Sequence, residues 1–172
     1  AEAGLYDLAA KGDYEGGFEE FKDSVVKAIA AAEAAHQRDG SLAGVTTGFT
    51  DLDKILGGMH PSDLIILAAR PAMGKSALAA NIAYNAAYTH SRSEGREGAV
   101  VGFFSLEMSA EQLASRILSE QTDISSDRMR KGELTNEEFT RLVVASQELH
   151  QIPVFIDDTP ALTMSQIRTR AR

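Results

Sequence analysis

A loop with the pattern of a phosphate-binding loop carries the clearest chemical signal in the sequence. Residues 69–76 read A-R-P-A-M-G-K-S, and the general pattern is G-x-x-x-x-G-K-S/T. Seven of the eight positions fit, since only the first glycine is replaced, by Ala69. Gly74 lets the backbone approach phosphate oxygens, and the N–H groups of the loop and of the following helix then face the anion. The spacing therefore predicts a site for the phosphates of a nucleotide.

The side chains of this loop have distinct expected roles. Lys75 brings a cation to the β- and γ-phosphates of a nucleoside triphosphate, and the Ser76 hydroxyl is a ligand for Mg²⁺. Arg70 is equally suited to hold a phosphate, to reach a neighbouring subunit or to remain a solvated charge. The alternative for the loop is a helix start without a ligand, but its placement between an apolar run and a helix favours phosphate binding. The predicted nucleotide-binding residues are Ala69, Arg70, Pro71, Ala72, Met73, Gly74, Lys75, Ser76 and Ala77.

Carboxylates after apolar runs are candidates for hydrolytic chemistry. Glu107 follows the run that includes Phe103 and Phe104, and parallel sheets bind ligands at the carboxyl ends of their strands. It either positions an attacking water near the γ-phosphate or only favours the start of the next helix. Asp157 and Asp158 follow another apolar run and resemble a Walker B strand, although carboxylates are common at strand ends. The residues alone leave both questions open.

The elements that must position these groups alternate between strands and helices. Leu64–Ala68 is a continuous apolar run, typical of a strand buried on both faces of a parallel sheet. Ala99–Leu106 and Pro153–Ile156 predict a second and a third strand. The pattern predicts an α/β fold in which helices flank a parallel sheet.

Periodicity and capping patterns predict the helices. Ser109 and Thr135 each open a capping box, and shorter helices are expected after Thr50, within residues 123–132 and from Thr163 to the end of the chain. The helix after Thr135 is expected to bury Phe139, Leu142, Val143 and Leu149. Near the N-terminus we expect a short helix over Leu5–Ala10, a glycine-containing linker, and an amphipathic helix whose apolar stripe is Phe18, Phe21, Val25 and Ile29.

Composition limits the possible functions. The 172 residues contain no cysteine, which excludes disulfides and thiolate sites, and the four histidines have no metal-ligand spacing. The net charge of −8 argues against a broad nucleic-acid-binding face, so any such contact is local or lies elsewhere. No apolar run approaches the roughly 20 residues that span a bilayer, and no signal peptide is visible. We expect a cytoplasmic protein without a membrane partner and, since it lacks an initiator Met, a piece of a longer one.

Several segments together resemble the DnaB family of bacterial replicative DNA helicases. The combination of A-R-P-x-M-G-K-S with S-L-E-M-S is specific to this family among RecA-like proteins, and alanine is usual there at the position of Ala69. The resemblance covers essentially the whole chain. The segments that carry it are T-G-F-T-D-L-D (47–53), G-G (57–58), D-L-I-I (63–66), A-A-R-P-A-M-G-K-S (68–76), F-S-L-E-M-S (104–109) and I-D-D-T-P (156–160).

The resemblance implies a hexameric ring that moves 5′ to 3′ on single-stranded DNA, fuelled by ATP or another nucleoside triphosphate with Mg²⁺. Lys75 and Glu107 would be catalytic, and Ser76 would hold the metal. Residues 1–43 would form a helical linker that contacts the neighbouring subunit, and residues 44–172 would be the first part of a RecA-like ATPase domain. Primase and a helicase loader are the expected partners of the full protein.

The family pattern also implies what this stretch of sequence lacks. The Walker B aspartate, the DNA-binding loops and the arginine finger would lie beyond Arg172, so Asp157 and Asp158 would not be Walker B residues. We therefore expect the chain by itself to bind nucleotide without full activity. The alternative is another RecA-like ATPase, of the recombination or clock type, against which the segment Ser105–Ser109 argues.

Overall fold

A computed structural model describes residue 18, residues 20–36 and residues 42–171. The chain divides into two units with a boundary after Ser41, and each is treated by itself. The described part of the first unit contains helix α1, Phe21–His36, which confirms a helix here, but Phe18 of the predicted stripe precedes it. The side chains of Phe21, Val25 and Ile29 are exposed. The predicted helix at Leu5–Ala10 and the glycine-containing linker lie outside the described residues.

The second unit has the predicted alternation of helices with parallel strands. Strands β1 and β2 pair in parallel, with Val101 opposite Val154 and Phe104 opposite Asp157. Helices lie before, between and after these strands, which confirms the α/β fold class. The elements in chain order are α2 Thr50–Leu56, α3 Lys75–Arg92, β1 Val101–Phe104, α4 Ala110–Thr122, α5 Ser126–Lys131, α6 Asn136–Leu149, β2 Val154–Asp157 and α7 Met164–Arg170.

Capping boxes start three of these helices at the residues that the sequence indicated. Ser109 and Thr135 each accept a hydrogen bond from a backbone N–H three residues on, and a Gln or Glu side chain there returns the bond. Thr163 does the same for α7. These bonds satisfy N–H groups that have no partner within the helix. Helix α7 ends at Arg170, whereas the sequence pattern predicted that it continues to the end of the chain.

The core lies between α3, α4 and the sheet. Alanines on one face of α3 are buried, and Leu113 and Ile117 of α4 are buried with them. The prediction that Phe139 and Val143 of α6 are core residues is wrong, because Phe139 is 60% exposed and Val143 is exposed as well. The apolar positions of α6 cover two adjacent stripes of the helix, and only the stripe that contains Leu142 and Leu149 is turned inward.

The predicted strand Leu64–Ala68 is also wrong, because the segment pairs with no strand. Leu64 on one face of the segment is 86% exposed and Ile65 on the other is 50% exposed, so neither face is fully covered by the described residues. A strand exists only where a neighbouring strand accepts and donates its backbone hydrogen bonds. Among the described residues, β1 and β2 pair with each other, and no strand lies beside this segment. The apolar sequence of this segment favours a strand, but none of the described residues forms a strand that could pair with it.

A buried carboxylate holds the turn that precedes α2. Asp53 accepts hydrogen bonds from the Thr46 hydroxyl at 2.6 Å, from the Thr47 N–H at 2.8 Å and from the Thr47 hydroxyl at 2.6 Å. The Asn85 amide donates to the Thr47 carbonyl and connects this turn to α3. A Cβ on Gly48, where φ is +80°, would lie 2.1 Å from the Asn85 side chain. The segment 47–53 is thus a structural support for α3, the helix that begins at the phosphate loop.

Replacing Asp53 with alanine is expected to destabilise the protein by about 1–3 kcal/mol, because it leaves the buried Thr47 N–H and hydroxyl without an acceptor. Burial alone would raise the pKa of Asp53, but the hydrogen bonds from Thr46 and Thr47 outweigh it and lower the pKa. The difference from wild type is therefore complete above about pH 4 and shrinks as the pH falls through the lowered pKa. Urea unfolding at several pH values measures it.

Asp51→Ala is the matched control for this experiment. Asp51 lies on the same helix but is exposed and pairs only with Lys54 at the surface. Loss of an exposed pair costs little. Equal unfolding free energies for Asp53→Ala and Asp51→Ala would contradict the structural role of Asp53.

Candidate functional site

The phosphate-loop residues line one cavity together with groups from a second loop and from α4. We call it the loop cavity; its volume is about 560 Å³, within the range of small-molecule sites. The predicted residues 69–76 all line it, whereas Ala77 lines a different, polar groove along α4 and α5. The remaining residues of the loop cavity are Glu107, Met108 and Arg116.

The backbone of the loop is shaped for close approach by an anion. Gly74 has φ +81°, and no atom lies within 4 Å of a Cβ placed there, so the glycine is required by its conformation and not by crowding. Ala72 also has a positive φ, of +63°, which costs about 1–2 kcal/mol for a residue with a side chain. Backbone strain of this kind is concentrated at functional sites.

The N-terminus of α3 is left open toward the loop cavity. No side chain caps this 18-residue helix, and its first turn contains no acidic residue. Its first N–H groups and the positive end of the helix dipole therefore remain available to a negatively charged ligand. The three capping-box helices contrast with α3, because side chains satisfy their first N–H groups.

The two predicted catalytic residues are brought together. The Lys75 ammonium lies 3.9 Å from a carboxylate oxygen of Glu107, although the residues are 32 positions apart in the sequence. The Glu107 side chain is 73% exposed and that of Lys75 is about half exposed. An ion pair this exposed and this long contributes little stability. The proximity therefore indicates a shared site and not a structural bond.

The remaining loop side chains differ in exposure. Ser76 is half-buried in the first turn of α3, next to Lys75. Arg70 and Met73 are exposed on the loop, and Met73 donates its N–H to the Arg70 carbonyl at 3.3 Å.

Two residues of the loop cavity, Met108 and Arg116, were missed by sequence reasoning. Arg116 belongs to α4 and adds a guanidinium to a cavity that already contains Lys75 and Arg70. A signal was present, because Arg116 lies seven residues after the N-cap Ser109, about two helical turns along the same face. Because α4 starts shortly after Glu107, a residue two turns into this helix can lie at the same cavity as Glu107.

Asp157 and Asp158 do not line the loop cavity. Hydrogen bonds from Thr159 and the guanidinium of Arg170 lower the pKa of Asp157 to about 2. Asp158 accepts a 2.9 Å hydrogen bond from the N–H of Ala110, the first residue of α4. Both carboxylates are engaged by protein groups outside the loop cavity.

The described residues contain neither a cluster of metal-ligating side chains nor a membrane-spanning helix. No group of three or more His, Cys, Asp or Glu side chains in that part of the chain is arranged to hold a metal ion. No described helix is long and apolar enough to cross a membrane.

Comparison with known proteins gives consistent matches. Residues 44–172 match the DnaB-like helicase C-terminal domain. The chain is 46% identical over 175 residues to the replicative DNA helicase DnaB of Rickettsia conorii, covering 100% of this chain and 35% of that protein. It is 42% identical to DnaB of Geobacillus stearothermophilus, covering 92% of this chain and 34% of that protein. It thus spans about a third of the length of these relatives.

Solved structures give the same answer for the fold. The ATPase domain of G40P superposes with a TM-score of 0.76 at 25% identity, covering 91% of this chain and 52% of that one. A DnaB-like replicative helicase, solved to show its interactions with primase, has a TM-score of 0.71 at 25% identity and covers 100% of this chain and 39% of that one. The RecA-like fold and the family resemblance are confirmed. The chain belongs to the DnaB-like helicase family, a family of nucleotide-using motor proteins.

Proposed function

We propose that this chain is the nucleotide-binding part of an ATP-driven replicative DNA helicase. The observation that carries the proposal is the convergence of Lys75 and Glu107, 3.9 Å apart, on the cavity lined by residues 69–76. A cation for the phosphates and a group that positions the attacking water are among the side-chain functions that triphosphate hydrolysis uses at such a loop. Both line the cavity at which α3 begins, and no side chain caps that helix.

Each group has a defined task in the proposed site. The loop N–H groups and the start of α3 bind the phosphate oxygens, and Lys75 neutralises charge on the β- and γ-phosphates. The Ser76 hydroxyl is the group that would hold Mg²⁺, which supplies further charge neutralisation when bound. Glu107, which lines the same cavity, orients water toward the γ-phosphate. The residues present fit ATP or another nucleoside triphosphate with its metal.

The action of the whole protein follows from the family. We propose a cytoplasmic hexameric ring that unwinds DNA at the replication fork, moving 5′ to 3′ along single-stranded DNA, with primase and a loader as partners. Residues 1–43 would be the linker that joins neighbouring subunits and residues 44–172 part of the ATPase domain. An arginine from a neighbouring subunit is worth about 10³ to 10⁵ in the rate of such reactions. The chain by itself is therefore expected to bind nucleotide with little turnover.

The test is an unwinding assay on the full-length protein, with forked duplexes that carry a free 5′ or a free 3′ tail. We expect unwinding that requires a nucleoside triphosphate and the 5′ tail, and that disappears in Lys75→Ala. A recombination or clock ATPase would hydrolyse nucleotide without unwinding either substrate, and that outcome would contradict the proposal.

A further inference from the structure

We propose that Asp158 is a positioning residue for Glu107, which it orients through the first backbone N–H of α4. The inference rests on the proposed function, since it assumes that Glu107 acts on the attacking water. Glu107 lies in a five-residue connection between Phe104, the end of β1, and Ala110, the start of α4. The contacts that fix this connection therefore determine the position of the Glu107 carboxylate.

Packing does not hold the tip of the connection. Leu106 is 67% exposed, and the Glu107 side chain is exposed as well. Neither side chain is therefore fixed by apolar burial, which normally immobilises a loop. The position of Glu107 must come from hydrogen bonds to the backbone on each side of it.

One anchor is Ser105, which is buried at the end of β1. Its hydroxyl donates to the Met108 carbonyl at 2.6 Å and accepts from the Met108 N–H at 3.3 Å. Its own N–H donates to the Asp157 carbonyl at 2.8 Å. Ser105 thus closes the turn that contains Glu107 and ties its first residue to β2.

The other anchor is Asp158. Its carboxylate accepts the Ala110 N–H at 2.9 Å, across 48 residues of sequence. The parallel register places Phe104 opposite Asp157, so the residues that follow the two strands leave the sheet side by side. Asp158 therefore joins the end of β2 to the beginning of α4, only three residues after Glu107.

Asp158 has a function that the local capping residues do not provide. The capping box of α4 uses Ser109 and Gln112, which satisfy the N–H groups of each other. Those bonds fix the helix start internally but leave its position relative to the sheet undefined. The bond from Asp158 supplies that connection, and its negative charge is favourable at a helix N-terminus. With Ser105 on one side and Asp158 on the other, the connection that carries Glu107 is tied to the sheet at both ends.

The test is a double-mutant cycle in the full-length protein, with kcat for ATP hydrolysis and the Kd for Mg-ATP measured on each variant. Asp158→Ala is expected to lower kcat by about ten- to a hundredfold, the size of effect that a misplaced catalytic group produces, with Kd changed less than twofold. Asp158→Asn keeps an oxygen acceptor for the Ala110 N–H and is expected to retain most of kcat. In a Glu107→Gln background, Asp158→Ala should lower kcat no further.

Asp157→Ala is the matched control, because the Asp157 side chain bonds Thr159 and Arg170, whereas the bond to the first N–H of α4 is made by Asp158. It should leave kcat within twofold of wild type. The inference is overturned if Asp158→Ala leaves kcat unchanged, or lowers it by the same factor whether residue 107 is Glu or Gln. Failure of the proposed function is distinguishable, since Glu107→Gln alone would then hydrolyse ATP at the wild-type rate.

Discussion

Replacing Lys75 with alanine is expected to weaken Mg-ATP binding by about ten- to a hundredfold while the domain stays folded. A hydrogen bond to a charged group contributes about 1.5–3 kcal/mol, and each 1.4 kcal/mol is a factor of ten in Kd. The side chain is half exposed, and its contact with Glu107 is long, so folding loses little when it is removed. Calorimetric titration of Mg-ATP measures the Kd, and urea unfolding measures the stability.

Lys54→Ala provides the control for a lost lysine. Lys54 is exposed on α2 and pairs only with Asp51. Its removal changes the net charge by the same amount without touching the loop cavity, so nucleotide affinity should stay within twofold of wild type. An unchanged Kd in Lys75→Ala would contradict the assignment of residues 69–76 as a phosphate site.

Replacing Glu107 with glutamine is expected to reduce the rate of ATP hydrolysis by the full-length protein by about 10²- to 10⁴-fold. This is the usual contribution of a general acid or base. Glutamine keeps the size of the side chain but loses the charge and the basicity that orient water. Affinity for Mg-ATP should be retained or slightly improved, because one negative charge leaves the vicinity of the phosphates. Steady-state phosphate release and nucleotide binding on the same preparation separate the two effects.

Glu111→Gln is the matched control for this change. Glu111 lies in the first turn of α4, is exposed and lies outside the loop cavity. It should hydrolyse ATP at close to the wild-type rate. If Glu107→Gln kept the normal turnover, Glu107 would be a structural carboxylate at a helix start and the catalytic carboxylate would have to lie elsewhere.

The features that were predictable from the sequence are local ones. The phosphate loop has a fixed spacing around Gly74, and the capping boxes at Ser109 and Thr135 are set by residues three positions apart. Such patterns act through backbone geometry within one or two turns, so they predict local structure without knowledge of the rest of the fold. The same holds for the apolar runs of β1 and β2, whose centres were placed correctly.

The features that were not predictable depend on partners distant in the sequence. Leu64–Ala68 has a strand-like sequence, but a strand also needs a neighbour, which sequence patterns do not supply. Phe139 is apolar and correctly spaced, yet α6 turns a different stripe toward the core. The bond from Asp158 to Ala110 spans 48 residues and became visible only once the parallel register was known. The place of Arg116 at the loop cavity likewise depends on the direction of α4, which the sequence does not give.

The most direct test of the central claim is a calorimetric titration of the unaltered chain with Mg-ATP, Mg-ADP and adenosine, with phosphate release followed in the same samples. A site built around Gly74 and Lys75 recognises phosphates, so we predict that ATP and ADP bind, that adenosine does not, and that little phosphate is released. Binding of adenosine with the affinity of ATP, or no binding of either nucleotide, would contradict the claim that residues 69–76 form a nucleotide phosphate site.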